Sequence, residues 1–267
     1  MTTRHHSTEQ TQPSLRQPTK KRYRPPLRLD APSSEGANAL RIGGLVPFTA
    51  IDYPGMLSAV VFCQGCPWRC GYCHNPHLIP ARGETSLSWV DIYQWLTTRR
   101  ALLDGVVFSG GEPTVQAALL KAVQQVKALG FKIGLHTGGA SPKRLQQLLP
   151  YLDWVGLDIK TNRNHYPTVT KVVDSGTPAF EALAMIQRSG VDFEVRTTIH
   201  GTLTPANEIL HLAQELKDSG VRKWILQPFR SEGCDDGDLL TQKEEAGILD
   251  EELLIQLREM VAGVEVR

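Results

Sequence analysis

Four of the chain's five cysteines fall within eleven residues, in the stretch Phe62-Cys63-Gln64-Gly65-Cys66-Pro67-Trp68-Arg69-Cys70-Gly71-Tyr72-Cys73-His74-Asn75. Cys66, Cys70 and Cys73 have the spacing C-x3-C-x2-C. Thiolates are the usual protein ligands of a cubane 4Fe–4S cluster, which offers four iron corners. A tight loop with three thiolates can hold three corners and leave the fourth iron open to a small molecule. An open iron beside an organic ligand implies chemistry; full ligation implies electron transfer alone.

Other uses of the cysteines fit less well. A structural zinc site pairs two C-x2-C knuckles across a dozen or more residues, whereas Cys63-x2-Cys66 and Cys70-x2-Cys73 leave no chain to fold between them. Five cysteines in 267 residues do not make a disulfide framework. Cys63 ends the apolar run Ala59-Val60-Val61-Phe62 and reads as a buried thiol packing as a small hydrophobe, with a ligand role as its alternative. Cys234 stands apart among acidic residues, and no function is assigned to it.

A chain of 267 residues suits one large core, and single α/β barrels occupy this size range. With 41% hydrophobic and 21% charged residues the composition is that of an ordinary soluble protein. A formal net charge of +1 gives no global field toward nucleic acid or membrane. No apolar run approaches the ~20 residues of a transmembrane helix, and no hydrophobic signal core follows Met1. Thiolates that assemble a cluster must stay reduced, so a cytoplasmic location is expected.

Residues 1–38 differ from the rest. They are rich in Thr, Gln, Pro, Ser and Arg, with no apolar period, and carry a basic knot of Lys20, Lys21, Arg22, Arg24 and Arg28 interrupted by Pro25 and Pro26. The reading is a disordered basic and polar extension, with a docking arm for an acidic partner or an organellar address as alternatives; the prolines oppose the amphipathic helix that such an address needs. Residues 39–267 form the expected domain.

Within that domain short β-branched runs alternate with helical patterns. The strand candidates are Ser58–Cys63, Gly105–Ser109, Lys132–His136, Trp154–Asp158, Phe193–Ile199 and Lys223–Pro228. In Thr114–Leu129 apolar residues recur at three and four until Gly130 stops the helix. Other helices open at Ser88 with Asp91 as capping-box partner, at Thr204-Pro205 with a capping hydroxyl and a first-turn proline, and near Pro178, ending at Gly190. Regular alternation predicts βαβ units and a parallel sheet: an α/β fold, a partial (β/α)6 TIM-like barrel.

The unusual residues follow the strands. The cysteine loop follows the first, Ser109-Gly110-Gly111-Glu112-Pro113 the second and His136-Thr137-Gly138-Gly139 the third. Leu157-Asp158-Ile159-Lys160 closes the fourth, Arg196 to His200 the fifth and Gln227-Pro228-Phe229-Arg230 the sixth. Carboxyl ends of parallel strands converge on one rim, where sites are built. One site is therefore expected.

Together these motifs resemble the radical S-adenosylmethionine superfamily, and more narrowly the activating enzymes of glycyl radical enzymes. The cysteine spacing and Gly110-Gly111-Glu112-Pro113 carry the superfamily. Asp52-Tyr53-Pro54-Gly55, Gln64-Gly65-Cys66-Pro67 and Tyr72-Cys73-His74-Asn75-Pro76 carry the narrower likeness, which is greatest to the activating proteins of anaerobic ribonucleoside-triphosphate reductase in their longer form. The resemblance spans about residues 40–267.

It implies one 4Fe–4S cluster on Cys66, Cys70 and Cys73, with S-adenosylmethionine chelating the open iron. It further implies a cofactor site built from Tyr72, Gly110, Gly111, Glu112, His136, Asp158, Lys160, Arg196 and Arg230. Gly110-Gly111 would let backbone approach the ligand, and Glu112 would meet the ligand ammonium or brace the turn. Tyr72 would pack on adenine. Asp158 and Lys160 would serve the ribose hydroxyls and the carboxylate region, or form an ion pair. Arg196 would bind a carboxylate or make a structural salt bridge; His136 is a ligand-facing donor or a satisfied core histidine. Relatives that activate pyruvate formate-lyase carry Asp-Thr-Asn-Gly where this chain has His136-Thr137-Gly138-Gly139, which puts a cation site there in doubt, and a histidine where this chain has Arg230.

The implied reaction begins with a low-potential electron donor such as flavodoxin or ferredoxin. Reductive cleavage of S-adenosylmethionine gives a 5′-deoxyadenosyl radical, which takes a Cα hydrogen from a glycine of a partner enzyme, the anaerobic ribonucleoside-triphosphate reductase by this likeness. No membrane or nucleic acid is involved. The rival readings are the same radical chemistry on a small molecule, or a non-catalytic iron–sulfur electron-transfer module, which would need a fourth ligand such as Cys63.

Overall fold

The computed structural model describes residues 36–85, 87–241 and 249–267, so the basic knot lies outside the described residues. Ala37, placed by the sequence in the extension, is fully buried in the main core.

Apolar and β-branched runs form the strands β1 (Ile42–Thr49), β2 (Ser58–Cys63), β3 (Gly105–Gly110), β4 (Lys132–Thr137), β5 (Trp154–Asp158), β6 (Asp192–Ile199), β7 (Lys223–Pro228) and β8 (Gly263–Val266). They make one eight-stranded sheet in the order β1 to β8. β2 through β8 run parallel, and β1 pairs antiparallel with β2. The six expected strands are β2–β7, and the sheet gains an edge strand on each side. β1 contains Gly43, Gly44 and Pro47, which read as turn residues, and β8 has only four residues, too few for a period. Among the described residues β1 and β8 do not pair, so the barrel stays open along that side.

Helices α1 (Trp89–Thr97), α2 (Leu119–Ala128), α3 (Pro142–Leu148), α4 (Tyr166–Thr170), α5 (Gly176–Ser189) and α6 (Ala206–Asp218) connect the parallel strands, and α7 (Gly237–Thr241) and α8 (Glu251–Met260) lead to β8. Ser88 caps α1 as expected, its Oγ accepting from the Asp91 N–H at 3.2 Å. Two helix starts differ from expectation. α2 begins five residues late, because Gln116 is extended and its side chain ties Arg41 and Gln64 together: it accepts from Arg41 N–H at 2.8 Å and donates to both carbonyls. α6 is capped by Pro205, not Thr204, whose hydroxyl is engaged with the backbone of His200.

Strand alternation sorts the two faces. Ala59, Val61, Val106, Phe108, Ile133, Leu135, Val155, Leu157, Val195 and Trp224 face the helices and form the main core. The inner face carries a smaller apolar cluster, Tyr53, Val60, Val107 and Trp154, with Met56 and Phe62 packed against it. Tyr53 belongs to the β1–β2 turn and stacks on Trp154 at 5.4 Å. Gly134 leaves room for it, since a Cβ there would lie 3.2 Å from the Tyr53 ring. This turn floors the barrel, and the inner face above it is polar.

Candidate active site

The cysteine loop leaves β2 and is pinned on several sides. Gly65 and Cys66 N–H donate to the carbonyls of Leu78 and Ile79 at 2.7 and 3.0 Å, and Arg69 N–H to Thr170 at 2.9 Å. The Gln64 amide donates to the carbonyls of His77 and Pro80 at 3.0 and 2.8 Å. From β3, Gly111 N–H donates to Cys63 and Glu112 N–H to Gly65, both at 2.9 Å. The Gly110-Gly111 pair thus meets the cysteine loop itself. Gly110 has φ +120°, and a Cβ there would stand 2.4 Å from the backbone N and O of Cys63.

Glu112 is buried, and both carboxylate oxygens are used. Oε1 accepts from Thr114 N–H at 3.0 Å and from the hydroxyls of Thr114 and Thr137 at 2.5 and 2.6 Å. Oε2 accepts from Gly138 N–H at 2.8 Å. The side chain therefore clamps the end of β4 to the end of β3. Gly138 in turn leaves space for Trp68 of the cysteine loop, because a Cβ would fall 2.2 Å from the indole.

Every site residue named from the sequence lines one cavity of about 610 Å³: Cys66, Cys70 and Cys73 with Tyr72, Gly110, Gly111, Glu112, His136, Asp158, Lys160, Arg196 and Arg230. The volume is that of an ordinary small-molecule site. Cys63 does not line it; it is fully buried on the helix-facing side of β2. Cys234 sits at the rim and donates to the Gly71 carbonyl at 3.3 Å.

Charges on the inner wall pair across strands. Arg196 Nε donates to Asp158 Oδ1 at 3.0 Å, and Nη2 lies 2.9 Å from the same oxygen while donating to the Gly156 carbonyl at 3.3 Å. Burial pushes the Asp158 carboxyl up, but Arg196 and Lys160 outweigh it and hold the group below the usual carboxylate range. Asp158 thus takes Arg196 as its ion-pair partner. The Lys160 ammonium lies 5.7 Å from both the Trp68 and the Tyr72 rings, within cation–π range. His136 Nε2 donates to the Asp52 carbonyl at 2.8 Å, leaving Nδ1 as an acceptor. Enclosure in the barrel and the nearby Arg196 guanidinium push its pKa down to about 3. Arg230 is exposed at the rim, its carbonyl accepting from His74 Nε2 at 2.9 Å.

The sequence reading missed several wall residues. Trp68, Thr137 and Gly138 were within the motifs but unassigned. Glu194, Thr198 and Gln227 lie on the inner faces of β6 and β7, and Arg267 follows β8. Glu194 is buried and bound by Arg267 at 3.1 Å and Lys223 at 3.2 Å. A charged residue two before Arg196 on the same strand face was the available signal.

The donor set fits an iron–sulfur cluster. Burial pushes the Cys66 thiol up to about 12, with the Glu112 charge adding to it, and burial also raises Cys70 and Cys73. Three thiolates here therefore need strong positive charge from a bound metal centre. Among the described residues no three His, Cys, Asp or Glu side chains are gathered to hold a single metal ion.

Comparison with known proteins agrees. The radical SAM superfamily model matches residues 60–216, more than half the chain. The pyruvate formate-lyase-activating enzyme of Clostridium pasteurianum is 32% identical over 201 residues, covering 72% of this chain and 83% of the relative. A Methanocaldococcus jannaschii protein named for glycyl-radical enzyme activation is 28% identical over 197 residues, covering 70% and 79%. Among solved structures, Streptococcus suis SuiB bound to S-adenosylmethionine aligns with TM-score 0.58 at 14% identity, covering 76% of this chain and 48% of SuiB. Escherichia coli QueE aligns with TM-score 0.50 at 18% identity, covering 75% and 91%. These two likenesses establish the shared fold. With cysteine motif, barrel and relatives in agreement, the chain belongs to the radical SAM superfamily and, within it, to the glycyl-radical enzyme activating enzymes.

Proposed function

We propose that this chain installs a glycyl radical on a partner enzyme, with anaerobic ribonucleoside-triphosphate reductase as the first candidate and pyruvate formate-lyase, for which relatives are named, as the second. The observation that supports this reading is the convergence of all twelve residues on one cavity, with three thiols along one part of its wall. Cys66, Cys70 and Cys73 would hold a 4Fe–4S cluster, and the rest of the wall would hold S-adenosylmethionine. Bound there, this pair supplies, on reduction by a donor such as flavodoxin or ferredoxin, the 5′-deoxyadenosyl radical that takes a hydrogen atom from the glycine.

The chain's own residues bind, orient and exclude water. Asp158, ionised and fixed by Arg196, would accept from ribose hydroxyls. Lys160, held over Trp68 and Tyr72, would meet a carboxylate, while the Tyr72 ring offers a flat apolar wall for the base. Neutral His136 offers Nδ1 as an acceptor. Glu112 holds the β3 and β4 ends together and leaves Oε2 room for a ligand donor besides Gly138. Arg230 would act at the exposed rim.

Anaerobic incubation with dithionite, S-adenosylmethionine and each purified candidate partner tests the proposal by electron paramagnetic resonance. An organic radical in the partner, with 5′-deoxyadenosine formed, is expected. 5′-Deoxyadenosine without a radical in any partner would point to a small-molecule substrate. No cleavage at all would leave an electron-transfer module.

A further inference from the structure

The chemistry proposed above needs one electron from outside, and the cysteine loop reaches the protein surface on a side that does not line the cavity. Arg69, between Cys66 and Cys70, is exposed there and is not part of the cavity wall. Its N–H donates to the Thr170 carbonyl at 2.9 Å. That hydrogen bond joins the end of α4 to the residue beside Cys70, so a short bonded route runs from this surface to one of the three thiols.

The loop after α4, residues 171–175, has an unusual backbone. Lys171 has φ +59° and Asp174 φ +57°, and among the described residues they are the only non-glycine positions in the left-handed region. Such conformations persist where the surroundings fix them, and they gather at functional sites. Here the fixing groups are visible. Thr170 Oγ1 accepts from Val172 N–H at 3.3 Å and shares a hydrogen bond of 2.6 Å with Ser175 Oγ. Ser175 Oγ donates to the Val172 carbonyl at 2.7 Å. Between the two left-handed residues the chain holds out Val173, which is 79% exposed. A single exposed valine is ordinary, but one held out by a fixed turn is pre-organised for contact.

Three exposed cations surround it. Lys171 is in the loop, Arg69 is tied to Thr170, and the Arg163 backbone abuts the loop's far end, where a Cβ on Gly176 would lie 2.7 Å from the Arg163 carbonyl. Arg69 Nη1 donates to the carbonyls of Cys66 and Trp68, both at 2.9 Å, and the Arg163 guanidinium rests 4.4 Å from the centre of the Phe180 ring. Neither contact neutralises the charge. Among the described residues none of the three cations forms a salt bridge. Asp174, and Glu215, which accepts from the Arg163 N–H at 3.1 Å, offset part of this charge and leave the excess positive.

We infer that Val173 with Lys171, Arg69 and Arg163 forms the entry face for the electron donor, an acidic low-potential electron-transfer protein; this rests on the function proposed above. Complementary charge steers such a protein to the face, and Val173 gives it an apolar contact at the centre. One electron leaves the reduced donor, which is thereby oxidised, and reduces the centre held on Cys66, Cys70 and Cys73. The contact between Arg69 and Thr170 lies on that path. None of residues 171–175 lines the cavity, so a donor seated here does not fill the site.

The test uses the full chain, reconstituted anaerobically, with an acidic flavodoxin as the probe. Calorimetric titration with oxidised flavodoxin is expected to give binding roughly tenfold weaker for Lys171→Glu and for Val173→Glu, with Lys171→Arg close to wild type. Added salt should weaken wild-type binding more than that of Lys171→Glu. Iron and sulfide per chain and dithionite-driven formation of 5′-deoxyadenosine should match wild type in both glutamate variants, while flavodoxin-driven formation falls with the binding. Unchanged affinity in both glutamate variants, or no binding of flavodoxin by the wild type, overturns the inference. So does an equal loss of dithionite-driven and flavodoxin-driven cleavage, which would make the loop a support of the cysteine loop only. A raised half-saturating concentration of the glycyl radical partner, with dithionite as reductant, would assign the face to that partner and likewise overturn it. A wild type that cleaves no S-adenosylmethionine with dithionite counts against the proposed function itself, whereas flavodoxin binding, read without turnover, tests the face in either case.

Discussion

Glu112 and Gly138 are joined by a single hydrogen bond of 2.8 Å from backbone N–H to Oε2, and through it the loop after β4 is locked to the loop after β3. The other oxygen takes three donors. Replacement of Glu112 by Gln substitutes an NH₂ for one acceptor, so at least one buried donor loses its partner. Leaving such a group unpaired costs about 1–3 kcal/mol. Urea unfolding of the cluster-free protein should show a loss in that range for Glu112→Gln.

Gly110→Ala places a methyl group 2.4 Å from the Cys63 backbone, at φ +120°. The cysteine loop must shift for β3 to accept it. We expect iron and sulfide per chain after anaerobic reconstitution to fall to less than half of wild type. Gly237→Ala, whose added methyl meets nothing within 4 Å, should load normally.

His136 makes stability depend on pH. Its folded-state pKa is about 3, against about 6.5 in an unfolded chain. Between these values the unfolded state binds a proton that the folded state does not, so stability falls as pH drops through that window. Denaturant midpoints at pH 7.5 and 5.0 should differ less in His136→Gln than in wild type.

The cysteines should separate into two classes. Alanine at Cys66, Cys70 or Cys73 is expected to reduce bound iron severalfold, while Cys234→Ala keeps wild-type loading. Cys63→Ala should also keep its iron but unfold at lower denaturant, because the side chain is fully buried in the core. Iron and sulfide analysis beside urea titration checks both halves. Retained loading in Cys70→Ala would refute the three-thiolate assignment.

The parallel strands and the cavity-lining residues were legible because each rule involved is local. Short β-branched and apolar runs fix strands, and parallel strands bring their carboxyl ends together whatever lies between. Partner choice within the site was less legible, since it depends on strand order. Asp158 and Lys160 are neighbours in sequence, yet Asp158 meets Arg196 from the next strand. Glu194 finds Arg267, 73 residues away. Gln116 sits in a good helical period but is extended, because its amide is claimed by Arg41 and Gln64. β1 was hidden by the glycines and the proline that give it its bulge.

The floor formed by the β1–β2 turn has a consequence for how the protein tolerates change. Closed (β/α)8 barrels fill their interior with stacked layers of side chains; here a small cluster, Tyr53, Val60, Val107 and Trp154 with Met56 and Phe62 against it, takes that place. Cohesion therefore comes from the shell between sheet and helices, and the hollow contributes little to it. Interior positions such as Thr198 and Gln227 are free to vary under selection for a new ligand or partner without loosening the scaffold, so the vessel can be relined while its wall stays intact.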